Sequence, residues 1–183
     1  QQFLRTRIGH IMVEERKAAT DGLSETPLYN LETLKQMMYL NRVYGAELVL
    51  DDVLTVCDSE AAAEVAPACD VLAAWDRKAE LDSRGTQVFI EFWGRIGDEF
   101  GNFQGVVASD EFWAIDFDRN DPLNTPSGID LTVEDNHTRV IEALAAATKR
   151  LDENFVALDA PWGEVQFLER NSENIPIHGG DGT

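Results

Sequence analysis

Basic side chains are scarce in this sequence. It has 15 Lys and Arg against 34 Asp and Glu, which gives a formal net charge of −19. Because phosphate groups are bound by clustered Lys and Arg, this balance argues against nucleic acid and anionic membranes as partners. No apolar run reaches transmembrane length, and no signal-peptide pattern opens the chain. We therefore expect no membrane partner, and a chain that begins after any targeting segment or never had one.

Cysteine and histidine are also scarce. Cys57 and Cys69 are the two cysteines, and neither has a further Cys or a His at metal-site spacing. On the residues alone, a disulfide and two free buried thiols remain equally open. The histidines His10, His137 and His178 are far apart in the sequence. We assign them surface or supporting roles and expect no metal site.

Known catalytic motifs are absent. The sequence has no Walker A loop, no GxSxG, no HExxH, and no Ser with a His in a recognisable frame. Asp116, Asp118 and Asn120 match the first ligand positions of a calcium-binding EF-hand, but Asp121 replaces the glycine of the sharp turn and Ser127 replaces the bidentate Glu. We reject an EF-hand and retain a looser calcium site only as a minor alternative. The residues alone show no cofactor site and no active site.

A concentration of apolar residues at helical spacing is present between Leu72 and Ile96. The pattern predicts two helices joined by a short link at 82–85, with Thr86 as the N-cap of the second helix. Each aromatic ring in it removes a large apolar area from water on burial. We expect this pair to form the core, with four largely buried rings, those of Trp75, Phe89, Phe92 and Trp93.

Apolar residues on one face predict further helices in the first half of the chain. The first ends at Asp21–Gly22, because glycine suits the left-handed position after a helix. Asn30 is expected to cap the second helix, the chain kinks or breaks near Gly45, and a weakly amphipathic stretch ends at Pro67. The predicted faces are Leu4, Ile8, Ile11 and Met12 in the first helix and Leu31, Leu34 and Met38 in the second.

The second half begins differently and then returns to helix. Glycine and aromatic residues after Ile96 predict an irregular layer with one short strand, followed by turn residues at 116–128. A long helix is predicted from about Val133, with Thr132 and Asp135 as an approximate capping box. Its buried face is expected to comprise Ile141, Leu144, Leu151 and Phe155.

Alternating apolar residues near the end of the sequence predict a β-hairpin from Val165. It turns at Asn171–Asn174 and places Pro176 at an edge or bulge. The predicted fold class is therefore mainly α with a small β portion (α+β), with a helical region and aromatic core at 1–160 and the hairpin at 161–183. Because HGGDGT leaves the sheet of that hairpin unfinished, we expect truncation rather than a naturally frayed tail.

Several phrases occur in a specific order along the chain. They are LRTRIG, NRVYGAELVLDDVL, LAAWD with LDSRG, FWAIDFDRNDPLNTPSG and LDAPWGEVQFLERNSENIPIHGGDGT. Each phrase is weak by itself, but their order and spacing cover nearly the whole chain. The succession resembles the later part of the β-chain of penicillin-acylase-type enzymes, closest to the acyl-homoserine-lactone and aculeacin acylase branch.

The resemblance implies a helical segment of an N-terminal nucleophile hydrolase. In such enzymes the first Ser of the β-chain attacks an amide, its own amine acts as the base, and a backbone N–H and an Asn stabilise the oxyanion. Here the first residue is Gln1, so the nucleophile is not in this chain, and the Asn falls upstream. The family's arginine near the active site matches Arg7, with Arg5 as the competing alignment; it would hold the Asn by charged hydrogen bonds. The alternative for Arg7 is a surface position on a solvated helix face.

The same resemblance implies a parent protein and its location. The parent is cut from a secreted precursor into α and β chains, acts in the periplasm or outside the cell, and removes acyl groups from a small N-acyl amide without a cofactor. We then expect Cys57 and Cys69 to be disulfide-bonded, the remainder of the α/β heterodimer to be the partner, and this chain to be inactive alone. The competing hypothesis is a non-catalytic acidic helical domain that binds a partner protein.

Overall fold

A computed structural model describes residues 3–100, 102–103, 106–107 and 109–180 of the chain. Gln1 and the last three residues of HGGDGT, on which two of the expectations above depend, lie outside these described residues. The helices are α1 (Leu4–Ala18), α2 (Leu31–Met38), α3 (Tyr44–Cys57), a 3₁₀ helix (Glu60–Val65), α4 (Ala66–Ala74), α5 (Thr86–Phe100), α6 (Glu134–Glu153) and α7 (Trp162–Val165). The strands are β1 (Asn102–Phe103), β2 (Val106–Val107), β3 (Trp113–Ile115), β4 (Ser127–Ile129), β5 (Phe167–Arg170) and β6 (Glu173–Pro176).

The fold class is mainly α with a small β portion, as predicted. The described strands form three two-stranded antiparallel sheets, β1–β2, β3–β4 and β5–β6. Pairing of β3 with β4 holds together the two ends of the turn segment between them, which we call the 116–126 loop. In the last hairpin Pro176 pairs with Phe167 at an open edge, as predicted, while Val165 lies in α7 instead of a strand. No helix within the described ranges is long and apolar enough to cross a membrane.

The aromatic residues of α5 form the centre of the core. Phe92, Phe89 and Trp75 are buried, as predicted, whereas Trp93 is only partly buried. The Trp93 ring nevertheless stacks on that of Phe89, with the centroids 6.0 Å apart, and meets the ring of Phe112 edge-on. α5 packs against both α4 and α6. The second helix of the predicted pair therefore does organise the core. The first is misplaced: α4 ends at Ala74, and residues 75–85 form an irregular segment instead of a helix and a short link at 82–85.

A disulfide joins the end of α3 to the middle of α4. The Cα atoms of Cys57 and Cys69 lie 5.9 Å apart and their sulfurs are bonded, which confirms the pairing that the family resemblance implied. The connecting residues form the 3₁₀ helix, in which Ala62 and Val65 are buried. Pro67 was predicted to end a helical stretch. Instead it lies in the first turn of α4, where its missing N–H costs no helical hydrogen bond.

The end of the first helix and the chain break both lie at other residues than predicted. α1 ends at Ala18, and the left-handed residue that follows it is Ala19, with a φ of 57°; Gly22, which also has a positive φ, lies three residues further on. The break expected near Gly45 falls just before it, between α2 and α3. Gly45 lies in the first turn of α3, where it is buried against Phe89, Trp93 and Leu4.

Two predicted N-caps are wrong. Thr86 is itself the first residue of α5, and its hydroxyl donates to the carbonyl of Lys78 at 2.7 Å. α6 begins at Glu134 without a capping side chain, and the Thr132 hydroxyl donates to Asp130 at 2.6 Å. In both places the hydroxyl is oriented toward an oxygen acceptor away from the free N–H groups of the helix.

The predicted cap of α2 is confirmed, because Asn30 and Thr33 form its capping box.

Some predicted apolar positions are exposed in this chain. The apolar face of α2, Leu31, Leu34 and Met38, is exposed. Phe155, expected on the buried face of α6, is 98% exposed, because α6 ends at Glu153 and the backbone turns at Phe155 with a φ of 58°.

Candidate functional site

Arg7 lies on the buried face of α1. Leu4, Arg7 and Ile8 follow one another at the spacing of one helix face, and all three are buried. The two apolar residues hold this face against the core, so the side chain between them is carried inward. Arg7 is fully buried, while the competing candidate Arg5 is exposed to solvent. The surface position considered for Arg7 is therefore wrong.

The guanidinium of Arg7 binds backbone carbonyls of the 116–126 loop. Its Nε and Nη2 donate to the carbonyl oxygen of Leu123 at 3.2 and 3.1 Å, and its Nη1 donates to that of Pro126 at 3.0 Å. A guanidinium carries five N–H groups. Three of them donate to these carbonyls, and the Tyr44 side chain is a further hydrogen-bond partner of the guanidinium. Arg7 thus holds the loop.

Tyr44 completes the surroundings of this guanidinium. It is the first residue of α3 and is buried. The Arg7 guanidinium carbon lies 5.2 Å from the centroid of the Tyr44 ring, within cation–π range. The Tyr44 hydroxyl also donates to the carbonyl of Leu123, at 3.4 Å. The Tyr44 ring therefore contacts the guanidinium, and the Tyr44 hydroxyl contacts the carbonyl oxygen to which the guanidinium donates.

The positive charge of Arg7 is buried without an ion pair to any described carboxylate. Burial lowers the pKa of Arg7, and Tyr44 and the charge of Asp121 oppose this effect. Burial likewise raises the pKa of Tyr44, so its hydroxyl remains a donor. Since an isolated buried cation is costly, carbonyl dipoles and an aromatic face are the groups that stabilise it here. Such a cation can bind and orient a neighbouring polar group.

The 116–126 loop is organised by its own side chains. The Thr125 hydroxyl accepts from the backbone N–H of Asp118 at 2.8 Å and donates to the carbonyl of Asp121 at 2.7 Å. The Asp118 carboxylate accepts from the backbone N–H of Asn120. Among the described residues, no cluster of His, Cys, Asp or Glu that could hold a metal ion is found. The calcium site considered as an alternative at Asp116, Asp118 and Asn120 is therefore not supported by such a cluster among the described residues.

The three histidines lie in unrelated places. His10 is exposed on α1, a ring nitrogen of His137 lies 3.0 Å from the carbonyl oxygen of Leu131, and His178 contacts the Asn41 side chain. None of them contacts Arg7 in the part of the chain that the structure describes.

Sequence reasoning missed Tyr44 and both carbonyl acceptors. Tyr44 lies inside the NRVYGAELVLDDVL phrase, but its type and spacing alone do not distinguish it from a core residue. The carbonyls of Leu123 and Pro126 leave no signal, because every residue has one. A second buried arginine was also missed: Arg16 donates to the carbonyls of Ser24 and Thr26.

The fold and the site define a helical, disulfide-linked segment whose candidate chemistry is a buried cation and not a nucleophile. The model of the penicillin amidase family matches residues 5–183. Acyl-homoserine lactone acylase PvdQ of Pseudomonas syringae pv. tomato is 33% identical over 182 residues, covering 94% of this chain and 22% of that protein. Aculeacin-A acylase of Actinoplanes utahensis is 33% identical over 187 residues, covering 98% of this chain and 21% of that protein.

The chain belongs to the penicillin amidase family. It spans about a fifth of the length of the curated relatives it matches. The family that the order of sequence phrases predicted is therefore confirmed.

Proposed function

We propose that this chain is part of an enzyme that hydrolyses N-acyl amides. The family match and the two acylases that it resembles support this activity. The substrate class is a small molecule carrying an amide-linked acyl group, with an acylated homoserine lactone or an acylated peptide as the leading candidates. The nucleophile and the oxyanion Asn are supplied from outside this chain.

Arg7 is the residue through which this chain serves the reaction. The observation that carries this role is a fully buried guanidinium with no ion pair to a described carboxylate, held by two loop carbonyls and by Tyr44. A charged donor of this kind fixes an amide oxygen more strongly than a neutral donor does. We assign it the task of orienting the oxyanion Asn, whose own N–H then stabilises the negative charge of the transition state.

Kinetics of the complete protein test this role of Arg7. Arg7→Ala should lower kcat by about 10- to 100-fold with a smaller change in KM, because misplacing a transition-state donor mainly affects the chemical step. Arg7→Lys should also lower kcat, since an ammonium lacks the planar fork of donors. Arg5→Ala is the matched control, because Arg5 is on the same helix but exposed. An unchanged kcat in folded Arg7→Ala would refute the role.

The parent protein is proposed to act in the periplasm or outside the cell. The Cys57–Cys69 disulfide supports this location, because disulfides persist mainly in oxidising compartments. Fractionation of the native cells, followed by detection with an antibody to this chain, tests it. Recovery of the protein in the cytoplasmic fraction with both thiols reduced would contradict the proposal.

The partner is proposed to be the remainder of an α/β acylase heterodimer. The exposed apolar face of α2 supports packing against further polypeptide, and relatives about five times as long offer it. The same face also favours the alternative, a non-catalytic domain that binds a separate protein. The sequence and mass of the native gene product decide between them. A precursor with a Ser at an upstream processing junction supports the enzyme, and its absence supports the alternative.

A further inference from the structure

We infer that Tyr44 is a positioning residue that holds the Arg7 guanidinium in its working orientation; this inference rests on the function proposed for Arg7. Neither the composition nor the spacing of the sequence assigns Tyr44 a role. The structure places it where it contacts the cation with its ring and the acceptor of the cation with its hydroxyl.

Three donors converge on a single carbonyl oxygen. The Leu123 carbonyl accepts from Nε and Nη2 of Arg7 at 3.2 and 3.1 Å and from the Tyr44 hydroxyl at 3.4 Å. The bidentate pair fixes the plane of the guanidinium relative to the loop, and the ring lies against the guanidinium. The guanidinium is thus held by two independent elements, the 116–126 loop and α3.

The position of Tyr44 in the fold makes it a rigid support. It begins α3, and the next residues, Gly45 and Ala46, are buried. A Cβ added at Gly45 would lie 3.5 Å from the side chains of both Phe89 and Trp93, so α5 packs directly against this turn. Since side chains in a close-packed core move little, the ring stays where the guanidinium needs it.

The chemistry of the ring explains why an aromatic residue is suited to this position. The face of an aromatic ring attracts a cation without itself being charged, so it stabilises a desolvated guanidinium. A carboxylate in its place would stabilise the charge better, but it would also draw toward itself the N–H groups that now donate to the loop carbonyls. Tyr44 therefore holds Arg7 and leaves its hydrogen bonds to the loop in place.

Two substitutions separate the ring from the hydroxyl. Tyr44→Phe keeps the cation–π contact and loses the hydrogen bonds of the hydroxyl, whereas Tyr44→Leu loses both kinds of contact. Val53→Ala is the matched control, because Val53 is a fully buried residue of the same helix that is not part of the Arg7 site. Thermal unfolding of each variant is measured first, and the measurements below are made at a temperature at which all variants remain folded.

The first measurement uses the chain itself and needs no activity. In a ¹⁵N-labelled sample, the Nε–H of Arg7 should exchange slowly with solvent in the wild type and in Val53→Ala. It should remain protected in Tyr44→Phe and lose most of its protection in Tyr44→Leu. If Arg7 Nε–H exchange in folded Tyr44→Leu equals that of the wild type, Tyr44 does not position the guanidinium.

The second measurement is steady-state kinetics on the complete protein. Tyr44→Leu should lower kcat by about 10- to 100-fold with little change in KM, and Tyr44→Phe should recover most of that loss. Equal losses of kcat in Tyr44→Leu and Val53→Ala would reduce Tyr44 to a packing residue and overturn the inference. An unchanged kcat in Arg7→Ala, with Nε–H exchange still dependent on Tyr44, would instead refute the function proposed for Arg7 and leave the positioning contact established.

Discussion

Arginine is the residue type that α1 buries at greatest cost. Arg7 and Arg16 are both fully buried, and each donates to two backbone carbonyls of a loop. They differ in compensation, because Arg16 also has an ion pair with Asp21 at 3.0 Å and Arg7 has no ion pair to a described carboxylate. Conversely, the buried Nε of Arg16 has no hydrogen-bond partner among the described residues, whereas each guanidinium nitrogen of Arg7 donates to a carbonyl.

The contact between Thr132 and the Asp130 carboxylate provides a prediction for single residues. Asp130 accepts hydrogen bonds from the hydroxyl and the backbone N–H of Thr132, and these lower the pKa of Asp130 from its ordinary value of 3.8. Thr132→Val should raise this pKa part of the way back, because the backbone N–H remains. Thr132→Ser should leave it lowered. Carboxyl ¹³C chemical shifts recorded against pH measure both values.

The sign of the accompanying pH dependence follows from the direction of the shift. Because the folded pKa is depressed, the ionised Asp130 contributes stability above its ordinary value of 3.8, and that contribution is lost as the pH falls through the folded pKa. Thr132→Val should therefore weaken the pH dependence of stability in that acidic range. An unchanged Asp130 titration in Thr132→Val would show that the hydroxyl does not act on the carboxylate.

Single residues were predictable where their signal is local. Asn30 was identified as a cap because the capping side chain and the N–H groups it serves lie within one turn. Thr86 and Thr132 carry the same local signal, yet both hydroxyls donate to oxygens outside the helices they were expected to cap. The carbonyl acceptors of Arg7 are more than a hundred residues away, so the sequence pattern alone could not indicate them.

At the scale of elements, α5 carries the densest packing. Phe92 is fully buried within it, and its ring lies 5.9 Å from that of Phe89. Phe92→Ala should lower the free energy of unfolding by about 3–5 kcal/mol, from lost transfer energy and the cavity left behind. Phe155→Ala removes an identical ring that is 98% exposed and should change stability by less than about 0.5 kcal/mol. Urea unfolding of both variants makes the comparison, and equal effects would mean that α5 is misplaced.

The disulfide between α3 and α4 provides a second prediction for elements. Thiol titration of the unfolded, unreduced chain should find no reactive thiol, because both cysteines are bonded. Reduction should lower the free energy of unfolding by about 2–4 kcal/mol, since the unfolded chain gains the freedom of the opened loop. The double variant Cys57→Ser and Cys69→Ser should match the reduced protein. Two thiols in the titration would contradict the bonded pair.

Elements were easier to predict than their ends. The helices α5 and α6 and the last hairpin follow from apolar periodicity, which burial against neighbours reinforces. The end of α6 does not, because Phe155 continues the apolar spacing while the backbone has already left the helix. Apolar periodicity records which residues are apolar, but not which surface of the complete protein covers them.

At the scale of the whole molecule, this chain combines a complete core with uncovered apolar faces. Leu31 and Met38 on α2 and Leu168 on β5 are each more than half exposed. An acidic balance of 34 to 15 charged residues keeps such a chain apart from its own copies through repulsion. These exposed faces support the partner proposed above, the remainder of an α/β acylase heterodimer.

The isolated chain should hydrolyse no amide. A nucleophile with an adjacent base is required, and the one buried serine of the described residues, Ser83, donates its hydroxyl to Asp76 and contacts no histidine. Incubation of the purified chain with a chromogenic N-acyl amide and with a long-chain N-acyl homoserine lactone tests this expectation. Turnover that survives repurification, and that a substitution within the chain abolishes, would reveal a second active site.

The contact between Arg7 and the 116–126 loop also sets an order on folding. The carbonyls that receive the guanidinium belong to residues 116 and 119 positions later in the sequence. At ~5–20 residues per second of synthesis, α1 waits roughly 6–23 s for Leu123 to be added. During that time the two carbonyl acceptors of its guanidinium are missing. Formation of this site is therefore a late, long-range event, of the kind that slows folding because a large loop must close before the contact stabilises it.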